Sequence, residues 1–74
     1  MKEDLQNRLK DLKECMDETF TYILRFGIDS DDPVCAKERT QYYGMVLAIR
    51  ALGCVYTRDE NGKHHISLCG VNVE

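Results

Sequence analysis

The sequence predicts an α+β fold: a long N-terminal helix, a second helix and a C-terminal β-hairpin, in the order ααββ, within a single domain spanning residues 1–74. Three observations predict it. Apolar residues recur at spacings of four and three from Leu5 to Phe26, the periodicity of one helix face. Asp32-Pro33 opens a second stretch that stays free of proline and ends at Gly53, as an N-cap followed by a proline at the first helical position would. Two short β-prone runs then flank Asp-Glu-Asn-Gly, a turn sequence that joins antiparallel strands.

The first helix is expected over Lys2 to Phe26, closed by Gly27 as its C′ residue. Its seam (Leu5, Leu9, Leu12, Met16, Thr19, Ile23, Phe26) has the spacing of a heptad repeat. Around the first half the flanking positions are polar (Gln6, Arg8, Lys13), and around the second they are Cys15, Phe20 and Tyr22. A narrow stripe suits a helix–helix seam and a broad one a globular core. The second half is therefore expected inside the domain. The first half, Leu5, Leu9, Leu12 and Met16, is expected to make a homo-oligomer interface, a dimer in the simplest case. Parallel pairing would set Arg8 against the like charge of Lys13, which favours an antiparallel pair.

The second helix has a polar beginning, Lys37 to Gln41, and an apolar end, Met45 to Leu52, broken only by Arg50. Its apolar end is expected to be buried on most sides. Gly44 stands mid-helix at a cost near 1 kcal/mol, tolerable where another backbone approaches closely. In the hairpin, strands at Cys54–Arg58 and Lys63–Cys69 can pair in two registers. A two-residue Asn61-Gly62 turn groups Val55, Thr57, Ile66 and Leu68. A three-residue loop with a bulge at Gly62 groups Cys54, Tyr56, Ile66 and Leu68, and it is preferred because it gathers the larger apolar side chains on one face. Gly70 then breaks the strand, leaving Val71-Asn72-Val73 to extend it or to add to another chain's edge.

Composition bounds the function. At 43% hydrophobic and 31% charged residues the chain has the balance of a globular protein, and its net charge of −3 argues against nucleic acid as a partner. The longest apolar run, Met45 to Ile49, is too short for a membrane span. The opening Met1-Lys2-Glu3-Asp4-Leu5 lacks the apolar core of a leader. A cytoplasmic protein with its four cysteines reduced is expected.

No catalytic signature is present, and the chain reads as a non-enzyme. Cys54, Cys69, His64 and His65 fall on neighbouring strands, but without the paired spacing of a zinc site, and the two histidines must point to opposite faces. The acids Asp29, Asp31 and Asp32 fail the calcium-loop pattern, since Val34 and Thr40 stand where it needs glycine and glutamate. Cys69 and His65 share a strand face roughly 13 Å apart, too far for a thiol–base pair. The suggestive cluster is Arg39, Tyr42, Tyr43 and Arg50. Arginine with aromatic rings is common to protein interfaces and to pockets for planar anions. These four are the candidate binding residues, and no cofactor or metal is implied.

The stretch Tyr42-Tyr43-Gly44-Met45-Val46-Leu47-Ala48-Ile49-Arg50-Ala51-Leu52-Gly53, followed by a hairpin with Asp-Glu-Asn-Gly-Lys, resembles the C-terminal half of small uncharacterised proteins of bacteriophages and mobile elements of Gram-positive bacteria. The resemblance implies a bacterial cytoplasmic host and a role in phage–host conflict, including inhibition of a defence system. It carries over no catalytic residue. The leading expectation is a non-enzymatic interaction protein that self-associates through its first helix and binds or inhibits a host protein. The alternatives are an oligomeric binder of a small anionic, nucleotide-like ligand and a metal-supported structural domain.

Overall fold

A computed structural model describes residues 3–73. Helix α1 runs Glu3–Phe26 and α2 Pro33–Ala51, followed by strands β1 (Cys54–Arg58), β2 (His64–Leu68) and β3 (Val71–Val73). The expected start of the first helix at Lys2 lies outside the described residues. α1 ends where expected: Gly27 takes φ 93° and donates its amide to the Leu24 carbonyl at 3.2 Å. Asp32 caps α2 by accepting the Val34 amide at 2.9 Å, with Pro33 in the first turn. Among the described residues, no helix is long and apolar enough to cross a membrane.

The sheet departs from the expected hairpin. It has three antiparallel strands in the order β1-β2-β3. The β1–β2 register pairs Cys54 with Leu68, Tyr56 with Ile66 and Arg58 with His64, the preferred of the two alternatives. Its loop is the three-residue type: Asp59 receives the Gly62 amide and donates its own to Lys63, while Gly62 takes φ 87° as the bulge residue. Beyond Leu68 the chain does not extend or leave. Cys69 and Gly70 both take positive φ (54° and 82°), the conformation of a two-residue primed turn, and β3 folds back so that Leu68 pairs with Val71 and Ile66 with Val73.

That third strand changes the meaning of the first helix. α1 packs against α2, β2 and β3, and Leu9 and Met16, expected at an interface between copies, are 2% and 0% exposed within their own chain. Leu5 and Leu12 pack half-buried at the edge of the same core. The cause is coverage: the returning strand gives the N-terminal half of the seam a partner that the sequence pattern did not supply. The seam also drifts. Phe20 is buried while Thr19 is half-buried and Phe26 stands at the surface, because a straight helix rotates about 20° per heptad away from a strict seven-residue repeat.

The second correction concerns α2. Its inner face (Cys35, Tyr42, Val46, Ile49) is buried against α1 and the sheet, but its apolar end is not enclosed: Leu47 is 49% exposed, and Leu52 also stands in solvent. A two-layer fold covers one side of each helix, and none of the described residues packs on the outer side of α2. All four cysteines are free, Cys35 and Cys54 buried, Cys15 and Cys69 exposed. Burial, and secondarily the neighbouring Cys69, push the Cys54 thiol above its ordinary range.

Candidate functional site

Three of the four candidate binding residues meet. Arg39, Tyr42 and Tyr43 line a groove of about 590 Å³ between α1 and α2, together with Phe20, Ile23 and Thr40. Helical spacing brings them there, since residues three and four apart share a face. Arg50 is not among them; it stands exposed in the last turn of α2. Nor is Arg39 a free cation. Its Nη1 donates to the Ile28 carbonyl at 3.2 Å and the Ser30 carbonyl at 3.0 Å, and reaches Cys35 Sγ at 3.2 Å. The side chain straps the α1–α2 loop to the helix. An anion entering this groove would have to compete with those carbonyls for the guanidinium.

Tyr42 presents its ring to the groove and its hydroxyl to the interior, where it belongs to a buried chain of hydrogen bonds. Arg58 Nη1 donates to the Tyr42 oxygen at 2.9 Å, and Tyr42 lies 2.7 Å from His64 Nε2. His64 Nδ1 lies 2.8 Å from Asp17 Oδ1, which also accepts the His64 backbone amide at 2.7 Å. Lys13 Nζ donates to Asp17 Oδ2 at 2.9 Å. Asp17 only accepts, so Nδ1 carries the proton it receives, and in the neutral ring Nε2 then accepts from the Tyr42 hydroxyl. The Arg58 guanidinium lies 4.0 Å over the Phe20 ring, a cation–π contact that holds it at the sheet edge.

The chain ties α1, α2, β1 and β2 through five side chains. His64 is fully buried, and among the described residues no buried side-chain nitrogen or oxygen lacks a partner. Burial alone would raise the Asp17 carboxyl, but the bonds from Lys13, the His64 ring and the His64 amide outweigh it and hold the group below its ordinary range. Burial pushes the Tyr42 phenol up, against the pull of Arg58. An Asp–His–Tyr order is also that of an activated base and nucleophile. Here the reactive atoms point at each other, His64 is sealed from solvent, and the Tyr42 hydroxyl turns away from the groove. The arrangement serves as a polar staple.

The histidines separate as the strand alternation requires, with His64 inward and His65 exposed. Both His64 nitrogens are occupied, and among the described residues no group of three His, Cys, Asp or Glu side chains is placed to hold a metal ion.

The remaining unusual feature is the outer face of α2. Thr40, Gln41, Tyr43, Gly44, Leu47 and Ala48 are all exposed, Tyr43 at 61%. No charged residue interrupts them; the charges of that face are Lys37 before and Arg50 after. α1 by contrast exposes Glu3, Asp4, Arg8, Lys10, Asp11, Glu14 and Glu18, the polar face expected of a surface helix. Gly44 lies at the centre of the uncharged span, and a methyl group built on it would meet nothing within 4 Å. The fold itself does not need glycine there. Leu52, just past the helix end, is exposed as well, and Val55 on β1 is exposed on the strand's outward side.

Comparisons with known protein families, curated proteins and solved structures give no match.

Proposed function

We propose that this is a non-enzymatic interaction module that presents the outer face of α2 to another protein surface. One observation carries the reading: an uncharged, exposed helix face centred on a glycine that costs the helix about 1 kcal/mol and that no contact within the chain requires. A surface helix ordinarily presents a charged, polar face to water, and the outer face of α2 from Thr40 to Ala48 carries no charge, so its uncovered side is completed from outside. The interaction surface thereby moves from α1, whose Leu9 and Met16 are consumed by the chain's own core, to α2. Tyr43 is the aromatic anchor of this surface, and Arg50 borders it, in keeping with the residue types that dominate protein interfaces. A bacterial cytoplasm, with a host protein occupied or inhibited, is the setting implied by the resemblance of the C-terminal half to phage and mobile-element proteins.

The test is site-specific photo-cross-linking in cells. A photoreactive phenylalanine analogue at position 47, on the outer face of α2, is expected to give protein adducts on irradiation. The same analogue at position 14, on the charged face of α1, is expected to give few. No adduct from position 47, or equal yields from both, would overturn the reading.

A further inference from the structure

We infer that Cys54 and Cys69 are a redox pair, which a peroxide converts into a disulfide joining the start of β1 to the β2–β3 turn. The inference is independent of the outer face of α2. The β1–β2 register sets Cys54 opposite Leu68, and Cys69 is the next residue along the chain. Neighbouring strands lie about 4.8 Å apart and rise about 3.3 Å per residue, so a pair one residue off register has its Cα atoms about 6 Å apart. A disulfide spans Cα separations of about 4.4–6.8 Å. Cys35 has no such relation to either thiol: it sits in the first turn of α2, against the Gly27 carbonyl and Arg39, a helix length away from Cys54.

Direction is the second requirement. In an unbroken strand Cys69 would face away from the side that Leu68 faces, because successive residues alternate. Cys69 instead leaves the strand at φ 54° and lines an apolar cleft of about 240 Å³ together with Leu68, Val73 and, from α1, Leu5 and Leu9. That is the helix-facing side of the sheet, where Cys54 stands 6% exposed in the core. The two thiols therefore share a side, and they are close enough that a charge on Cys69 disfavours one on Cys54.

Access divides the roles. Cys69 is exposed and Cys54 buried, the arrangement of an attacking thiol beside a resolving one. The Cys69 sulfur attacks one oxygen of the peroxide: an S–O bond forms, the O–O bond breaks, and the departing hydroxide takes the thiol proton as water. The Cys54 sulfur then attacks the sulfenic sulfur of Cys69: the S–S bond forms, the S–O bond breaks, and the Cys54 proton leaves with that oxygen as a second water. Two thiols are oxidised by two electrons and one hydrogen peroxide is reduced to two waters. A thiol reductant reverses the bond by exchange. The product pins the turn that carries β3, and with it the cover over the N-terminal half of α1.

The test treats the reduced, purified chain with hydrogen peroxide, alkylates the remaining thiols and cuts with trypsin. Cleavage after Lys13, Arg25, Lys37, Arg50, Arg58 and Lys63 leaves each cysteine in its own peptide. Peptides 51–58 and 64–74 are expected to be joined, in a monomer lighter by two hydrogen atoms, and to separate again with dithiothreitol. The bond is expected to form at least about tenfold faster in the native chain than in urea, where no fold aligns the thiols. In Cys54→Ser the sulfenic acid of Cys69 is expected to persist and to be trapped by dimedone. The linked monomer is expected to melt at least about 5 °C above the reduced one. A Cys69 that oxidises without linking, a link to Cys15 or Cys35, a link only between two chains, or a link that forms as fast in urea overturns the inference. So does a linked monomer that melts below the reduced chain, because the fold would then have opened to make the bond.

Discussion

Replacing Asp17 with alanine isolates the work of the buried polar chain. The substitution removes the acceptor of two donors of His64, its amide at 2.7 Å and its ring Nδ1 at 2.8 Å, at a residue to which water has no access. An unsatisfied buried donor costs about 1–3 kcal/mol, so the pair costs about 2–6 kcal/mol. The contact from Lys13 adds little, because that side chain remains partly exposed and such ion pairs contribute about 0–1 kcal/mol. A chain of this length has a total stability of roughly 4–11 kcal/mol, so Asp17→Ala should remove about half of it or more. Asp17→Asn separates charge from hydrogen bonding: its Oδ1 still accepts both His64 donors, and the loss should be about 1 kcal/mol, the difference between a charge-assisted and a neutral bond. Urea denaturation followed by far-ultraviolet circular dichroism at neutral pH should rank wild type above Asp17→Asn, and Asp17→Ala far below both. A cost under about 1 kcal/mol for the alanine variant, or equal costs for the two, would refute the assignment of the chain as a staple.

Two further outcomes follow from the same core. The Asp17 carboxyl is held below its ordinary value of 3.8 in the fold, so its contribution is complete above that value and is lost as pH falls through the lower folded pKa. The Tyr42 phenol is raised above its ordinary 10.0, so its contribution is complete below pH 10.0 and is lost as pH rises through the folded pKa; melting temperatures should fall on both flanks, and Asp17→Asn should flatten the acid flank alone. Leu9→Asp places a carboxylate in a site 2% exposed, and thermal unfolding should lose its cooperative transition; a variant that melts as sharply as wild type would contradict the enclosure of α1 by β3.

Much of the fold is legible because the chain punctuates it. Gly27, Asp32-Pro33 and Gly53 mark helix ends through positive φ, capping and fixed φ, and Gly62 sets the hairpin register through its bulge. β3 is hidden because it is short and its turn uses Cys69 at φ 54°, where primed turns normally carry asparagine, aspartate or glycine. With β3 unseen, the apolar seam of α1 looks longer than the chain can cover. The polar staple is illegible for a different reason: Asp17 and His64 are 47 residues apart, and no local pattern couples a helix-flank aspartate to a strand histidine. For the candidate site, helical spacing gathers Arg39, Tyr42 and Tyr43 correctly, but it cannot show that Arg39 is engaged by the loop carbonyls. The outer face of α2 is visible in the sequence as the uncharged run around Gly44. Only the fold shows that this run stays uncovered.

The urea-unfolding free energy of Gly44→Ala, measured on chain dilute enough to be monomeric, tests the central claim most directly. If Gly44 serves a partner and not its own fold, alanine finds open space and the monomer gains about 0.5–1 kcal/mol. An unchanged or lowered stability would mean that the chain itself requires the glycine, and the outer face of α2 would lose the observation that marks it as an interface.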